Sequence, residues 1–196
     1  MSANSDLVLA GISAGGTTGL ELLWMGATGA TAPTEPVHPL GAGWYSLGYV
    51  DGEGITLGVD ESSEDVNAFG TTVPVRVINT GSKHTVQVTC LETNQYVMDV
   101  YHRYAIGTTS PDAAGGFTVT DGAARVQRYA ACIDVLDGTN YMRFYYPSVE
   151  VTDRAEISIG NGQPIKYTFT LTAYPSATTG IAVTKYYRIP ELAVGS

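Results

Sequence analysis

Alternation of apolar and polar residues with a period of two constrains this chain more than any other feature. Along Tyr167-Thr-Phe-Thr-Leu-Thr-Ala-Tyr174, the residues Tyr167, Phe169, Leu171 and Ala173 point one way and Thr168, Thr170 and Thr172 the other, as in a strand buried on one face. The stretch 84–92 repeats the pattern with Val86, Val88 and Cys90 inward. Val73, Val75 and Val77 alternate likewise, and Pro74 assigns that stretch to a sheet edge or a strand start. A chain patterned this way folds mainly as sheet.

Turn chemistry organises the strands into hairpins. Tyr45, Leu47 and Tyr49 alternate before Asp51-Gly52-Glu53-Gly54, and Ile55, Leu57 and Val59 resume afterwards, which predicts a hairpin turning at the Asp-Gly step. A second hairpin is expected from Val126 to Leu136, turning at Asp137-Gly138-Thr139-Asn140 and returning to Val151, with bulges where the phase slips near Tyr129 and Tyr146-Pro147. Two short helices are predicted. One opens at Ser62 or Ser63, carries Glu64 and Asp65 in its first turn and ends at Gly70; the other follows Thr93-Asn94 and gathers Val97, Val100, Tyr101 and Tyr104 on one face that covers the sheet. Stretches 26–43 and 107–116, rich in Gly, Pro and Thr, read as surface excursions. A single domain over 1–196 is expected, with an N-terminal arm and loop at 1–43, a core at 44–189 and a tail at 190–196.

Charge is unevenly spread. The nine acids of residues 1–75 meet no Lys or Arg, whereas residues 76–196 carry ten of each sign, so the net charge of −9 belongs entirely to the first part. Binding of nucleic acid through its phosphates needs clustered basic residues, which the chain lacks. The two cysteines, Cys90 and Cys132, match no metal or redox spacing and read as small buried hydrophobes. The apolar stretch from Leu7 to Trp24 is interrupted by glycines and Glu21 and has no basic residues before it, so neither export nor membrane insertion is expected, and synthesis in a reducing cytoplasm is.

No constellation for catalysis emerges, and the expectation is a protein that is not an enzyme and binds no cofactor or metal. His38, His84 and His102 stand in unrelated contexts; His84 is expected near a turn and His102 near a helix end. The glycine-rich strings at 10–19, 41–48 and 51–54 match no phosphate-cradling motif, and the acids from Asp51 to Asp65 lack the spacing of a calcium loop. Tyr145, Tyr146, Tyr186 and Tyr187 suit either subunit contacts or a core.

From Trp44 to Ile78 the chain resembles the major tail tube proteins of long-tailed, siphovirus-type bacteriophages, especially those infecting actinobacteria. The resemblance continues through Val86–Tyr101, with the Leu91-Glu92-Thr93-Asn94 corner and its helix, and through Tyr145–Ser176, with the closing Ala173-Tyr174-Pro175. These blocks cover residues 44 to about 101 and 145 to about 176, in the order the family has them. The resemblance implies a β-sandwich or barrel with one flanking helix and extended arms, assembling into hexameric rings that stack as a hollow tube for the genome. It implies self-contacts, contacts with other tail proteins (tape measure, tail terminator, baseplate or distal tail), and a place in the virion tail after assembly in the host cytoplasm. No catalytic residues come with it. Inner tubes of contractile injection particles and β-sandwich adhesion or capsid-decoration modules are the alternatives.

An acidic or neutral lumen lets DNA slide where a basic one would hold it. Some of Asp51, Glu53, Asp60 and Glu61 are therefore expected to face the lumen or a junction between rings. In the competing arrangement the Asp134–Arg143 hairpin lines the lumen and the acidic segment joins rings, with Arg125, Arg128, Arg143 and Arg154 as basic partners on the neighbouring subunit.

Overall fold

A computed structural model describes residues 12–13 (backbone only), 22–37, 39–123 and 125–193. Among them one antiparallel sheet holds nine strands: β1 (Ile12–Ser13), β2 (Leu23–Ala27), β3 (Trp44–Ser46), β4 (Val50–Val66), β5 (Arg76–Cys90), β6 (Arg128–Asp137), β7 (Asn140–Arg154), β8 (Tyr167–Ala173) and β9 (Thr184–Arg188). One helix, α1 (Gln95–Tyr101), and a 3-10 turn at Pro190–Leu192 complete the described elements. The strand order is β3-β2-β6-β7-β8-β5-β4, with β1 added to β6 and β9 to β7.

The sheet faces itself across one main core, which brings the inward residues Val86, Val88 and Cys90 of β5 and Tyr167, Phe169 and Leu171 of β8 together with Leu23, Met25, Tyr129 and Ile133 of the β2–β6 half. Strand β7 makes this possible. Its first half pairs with β9 and its second half with β8, and the register slips between Val151 and Asp153. The slip between Tyr129 and Ala131 falls where the sequence places a bulge, and the β6–β7 turn lies at Asp137–Asn140 as expected.

Helix α1 begins at Asn94, whose side chain accepts from the backbone N–H groups of Tyr96 and Val97. Val97, Val100 and Tyr101 are buried beneath it. The corner before it is tied back to the chain at 47–49. Glu92 accepts from Tyr49 N–H at 2.8 Å and from the Asn94 amide at 3.1 Å, and Asn94 also donates to Leu47 C=O. Only glycine fits at position 48, because φ is +77° and a Cβ would lie 2.2 Å from the Glu92 carboxylate.

Several expectations are corrected. The stretch 62–66 is strand, not helix, because its few apolar residues supply no face to bury while the ladder begun at Ile55–Val88 continues outward to Val66–Arg76. Asp51–Gly54 is an irregularity within β4 and not a hairpin turn: β4 pairs with β5, whereas Trp44–Ser46 pairs with β2. Val73, Val75 and Val77 are exposed, not inward. His84 sits within β5, opposite Ala173. Strand β2 lies in the stretch read as an arm, with Leu23 and Met25 fully buried.

The loop after β2 is likewise fastened. Trp44 Nε1 donates to Thr31 C=O, the Tyr186 hydroxyl to Pro33 C=O and Arg143 Nη1 to Glu35 C=O. Both cysteines are buried thiols, as expected.

Candidate functional site

Strands β4 and β5 run far past the rest of the sheet. The pairing of β5 with β8 ends at His84–Ala173, but β4 and β5 stay paired out to Val66–Arg76, forming a two-stranded ribbon about 24 Å long at the usual rise per residue. Every residue from 59 through 83 is exposed. A slip between Ser62 and Ser63 admits an extra residue on β5, where the Thr80 hydroxyl donates to Ser62 C=O. The tip is closed by Val75 N–H donating to Val66 C=O and by Thr71 donating to Ala68 C=O from both backbone and hydroxyl.

This tip is apolar. Phe69 is 108% exposed, Val73 68%, Val75 58% and Val77 60%, and Val66 and Ile78 adjoin them. Carboxylates flank the tip: Asp60, Glu61, Glu64 and Asp65 all lie on β4 and make no ion pair within the subunit among the described residues. A contiguous apolar patch of this kind, rimmed by charge, marks an interaction surface rather than a monomer's finished exterior. Beside it, β4 offers a second free feature. It pairs with β5 alone, so the other edge of a 17-residue strand has no partner among the described residues.

The residues singled out by sequence fall into separate places. Asp60 and Glu61 are on the ribbon, Asp60 across from Lys83. Asp51 lies at the base of β4 and pairs with Lys166, whose hydrogen bond to the carboxylate holds its pKa below the usual range and raises that of the lysine. Glu53 is exposed beside it and donates its backbone N–H to Asp51. Arg143 is turned inward at 4% exposure and clamps Asp134 through Nε at 2.6 Å and Nη2 at 2.8 Å. Arg128 stacks over Tyr174, Arg125 over Tyr104, and Arg154 donates to Tyr101 C=O. Arg125 and Arg154 thus meet at the end of α1, whereas Arg128 lies opposite Glu150, four residues before Arg154 on β7.

Of the tyrosines, Tyr145 and Tyr146 enter the core and Tyr187 is exposed. His102 caps α1 at its C-terminus and bonds Asp121 at 2.9 Å; His38 lies outside the described residues. Sequence reasoning passed over Asp99, fully buried in α1, which accepts from the backbone N–H groups of Gly107, Thr108 and Thr109 and from the Thr109 hydroxyl. An acid inside a helix followed by a Gly-Thr-Thr loop was the available signal.

Among the described residues no group of three or more His, Cys, Asp or Glu is placed to hold a metal ion, and no helix is long and apolar enough to cross a membrane. No curated protein matches the chain. The sequence profile of phage tail tube proteins matches residues 8–184, which spans the sheet from β1 to the first residue of β9. With an all-antiparallel sheet and an apolar-tipped ribbon consistent with that match, this chain belongs to the phage tail tube protein family, a structural family and not an enzymatic one.

Proposed function

We propose that the protein is the repeating subunit of a siphovirus-type phage tail, forming rings that stack into a tube through which the genome passes. The observation that carries this reading beyond family membership is the ribbon at 59–83, whose Phe69, Val73, Val75 and Val77 side chains are left exposed by the described residues. Burying one such side chain contributes about 1.5–3 kcal/mol, so a cluster of them supports a specific contact with another copy. The free edge of β4 adds hydrogen-bonding groups for a neighbouring strand, and closure into a ring removes such edges from solvent. Six subunits per ring is the number the resemblance implies. Assembly in the host cytoplasm and contacts with the other tail proteins belong to the same reading.

On this account the ribbon, with Asp60 and Glu61, is the arm that joins one ring to the next, while Asp51 and Glu53 lie at the opposite end of β4, beside Cys90 and Lys166. The channel wall has only to avoid holding DNA, and a subunit of net charge −9 suits that. Electron microscopy of the purified protein, or of the virion, tests the reading. Stacked rings with a central channel are expected, and a protein that stays monomeric at all concentrations refutes it. A sheath around the tube in the virion would identify instead the inner tube of a contractile particle.

A further inference from the structure

At the end of α1 the chain builds a basic pocket of about 170 Å³ whose walls include His102, Arg103, Arg125 and Arg154, with Asp121 as the one carboxylate. Three guanidiniums against one acid leave it an excess of two positive charges. Two features set it apart from an ordinary capped helix end. Arg103 has φ +58°, the one non-glycine residue with positive φ among the described residues, at a position where helices usually place glycine. Its Nε is buried and has no hydrogen-bond partner among the described residues. Arg154 donates to Tyr101 C=O and so serves the helix end, and Arg125 stacks over Tyr104, but Arg103 keeps a buried Nε without a hydrogen-bond partner among the described residues. A strained arginine with an unmatched donor fits a site awaiting an anion.

We propose that this pocket receives the carboxylates Glu64 and Asp65 from the ribbon of a second copy of the chain, a proposal that rests on the ribbon being an inter-subunit arm. Chemistry and position both favour that occupant. Glu64 and Asp65 are the last charges before the apolar tip, and neither makes an ion pair in its own subunit among the described residues. Val126, next to Arg125, and Ile157, three residues after Arg154, are exposed apolar residues that complement the tip. The pocket and the ribbon also lie at opposite ends of the same strands. Arg154 is opposite Phe169, whereas the ribbon leaves the sheet at His84, opposite Ala173, about 13 Å further along β8. Joining two such ends is a head-to-tail contact, which propagates along an axis where its rotation does not close a ring. The occupant is a carboxylate of a like subunit and not a nucleic-acid phosphate, because the ribbon brings its charges and its apolar tip together to a pocket flanked by both.

The test uses the full-length protein, with the critical concentration for polymerisation and the thermal midpoint of the unassembled subunit measured side by side. Arg103→Gly should leave the midpoint equal or higher, since it relieves the left-handed arginine, yet raise the critical concentration about tenfold or more. Arg125→Glu and Glu64→Arg should each do the same to assembly, and the two reversals together should recover most of it. Polymerisation of Arg103→Gly and Arg125→Glu at the wild-type concentration, or a double reversal no better than its parents, overturns the pocket assignment while leaving the tube reading intact. Arginine-dependent binding of a labelled DNA duplex by the wild-type subunit also overturns it, in favour of phosphate. A wild-type protein that never polymerises overturns both readings.

Discussion

Replacing Phe69 by alanine separates the two lives of the ribbon. In the isolated subunit the side chain is 108% exposed, so it touches nothing that its removal could disturb, and the stability of the fold should change by no more than about 0.5 kcal/mol. In an assembly where the tip is buried, losing the ring removes about 1.5–3 kcal/mol per contact. At about 1.4 kcal/mol per factor of ten, each subunit addition weakens by roughly ten- to a hundredfold. Light scattering or sedimentation against protein concentration should show the threshold for polymer rising by that factor, with the calorimetric midpoint unmoved. Phe69→Leu, which keeps most of the apolar volume, should fall near wild type. A threshold for Phe69→Ala within twofold of wild type would refute the argument that the tip is buried on assembly.

Gly48→Ala should destabilise the subunit by about 3–4 kcal/mol, combining the left-handed penalty with displacement of the Glu92 carboxylate, while Gly29→Ala, at φ +92° with open space around it, should show only the backbone part of about 1–2 kcal/mol; urea unfolding of the pair checks this. Asp134→Ala removes the carboxylate that neutralises the buried Arg143 guanidinium and should lower stability by about 3–5 kcal/mol, with Asp134→Ala/Arg143→Met recovering a large part in the same assay. Burial pushes the Cys90 thiol from 9.0 up to about 12 and the Tyr146 hydroxyl from 10.0 up to about 12. Their folded pKa values are raised, so the stability they contribute is intact below about pH 9 and is lost as the pH climbs from about 9 to 12; the urea midpoint should fall over that interval, and a native thiol titrating near 9 would contradict the assignment.

The legible parts of the fold are those where one face is buried. Val86–Cys90 and Tyr167–Ala173 announce their inner faces because solvent lies only on the other side, and Asn94 announces α1 because an uncapped helix start leaves N–H groups unmet. The ribbon escaped notice for the converse reason. Within the subunit both faces of 59–83 meet solvent, so the alternation at Val73, Val75 and Val77 marks no inner face, and Ser62-Ser63-Glu64-Asp65 looks like a helix start when its partner strand is not known. Strand β2 was hidden because only Leu23 and Met25 turn inward in a short strand between glycine-rich stretches. Of the candidate site residues, Asp60 and Glu61 do lie on the exposed ribbon, but Arg143 is committed to Asp134 and Asp51 to Lys166. The pocket at the end of α1 draws on residues 102–103, 121–125 and 154, a juxtaposition that spacing along the chain does not encode.

The most direct test is a cryo-EM reconstruction of the polymer formed by the purified protein. Rings stacked around an open channel, with residues 59–83 of each subunit buried against the next ring and Phe69 out of solvent, are the predicted result. A polymer in which that ribbon still projects freely into solvent would contradict the account.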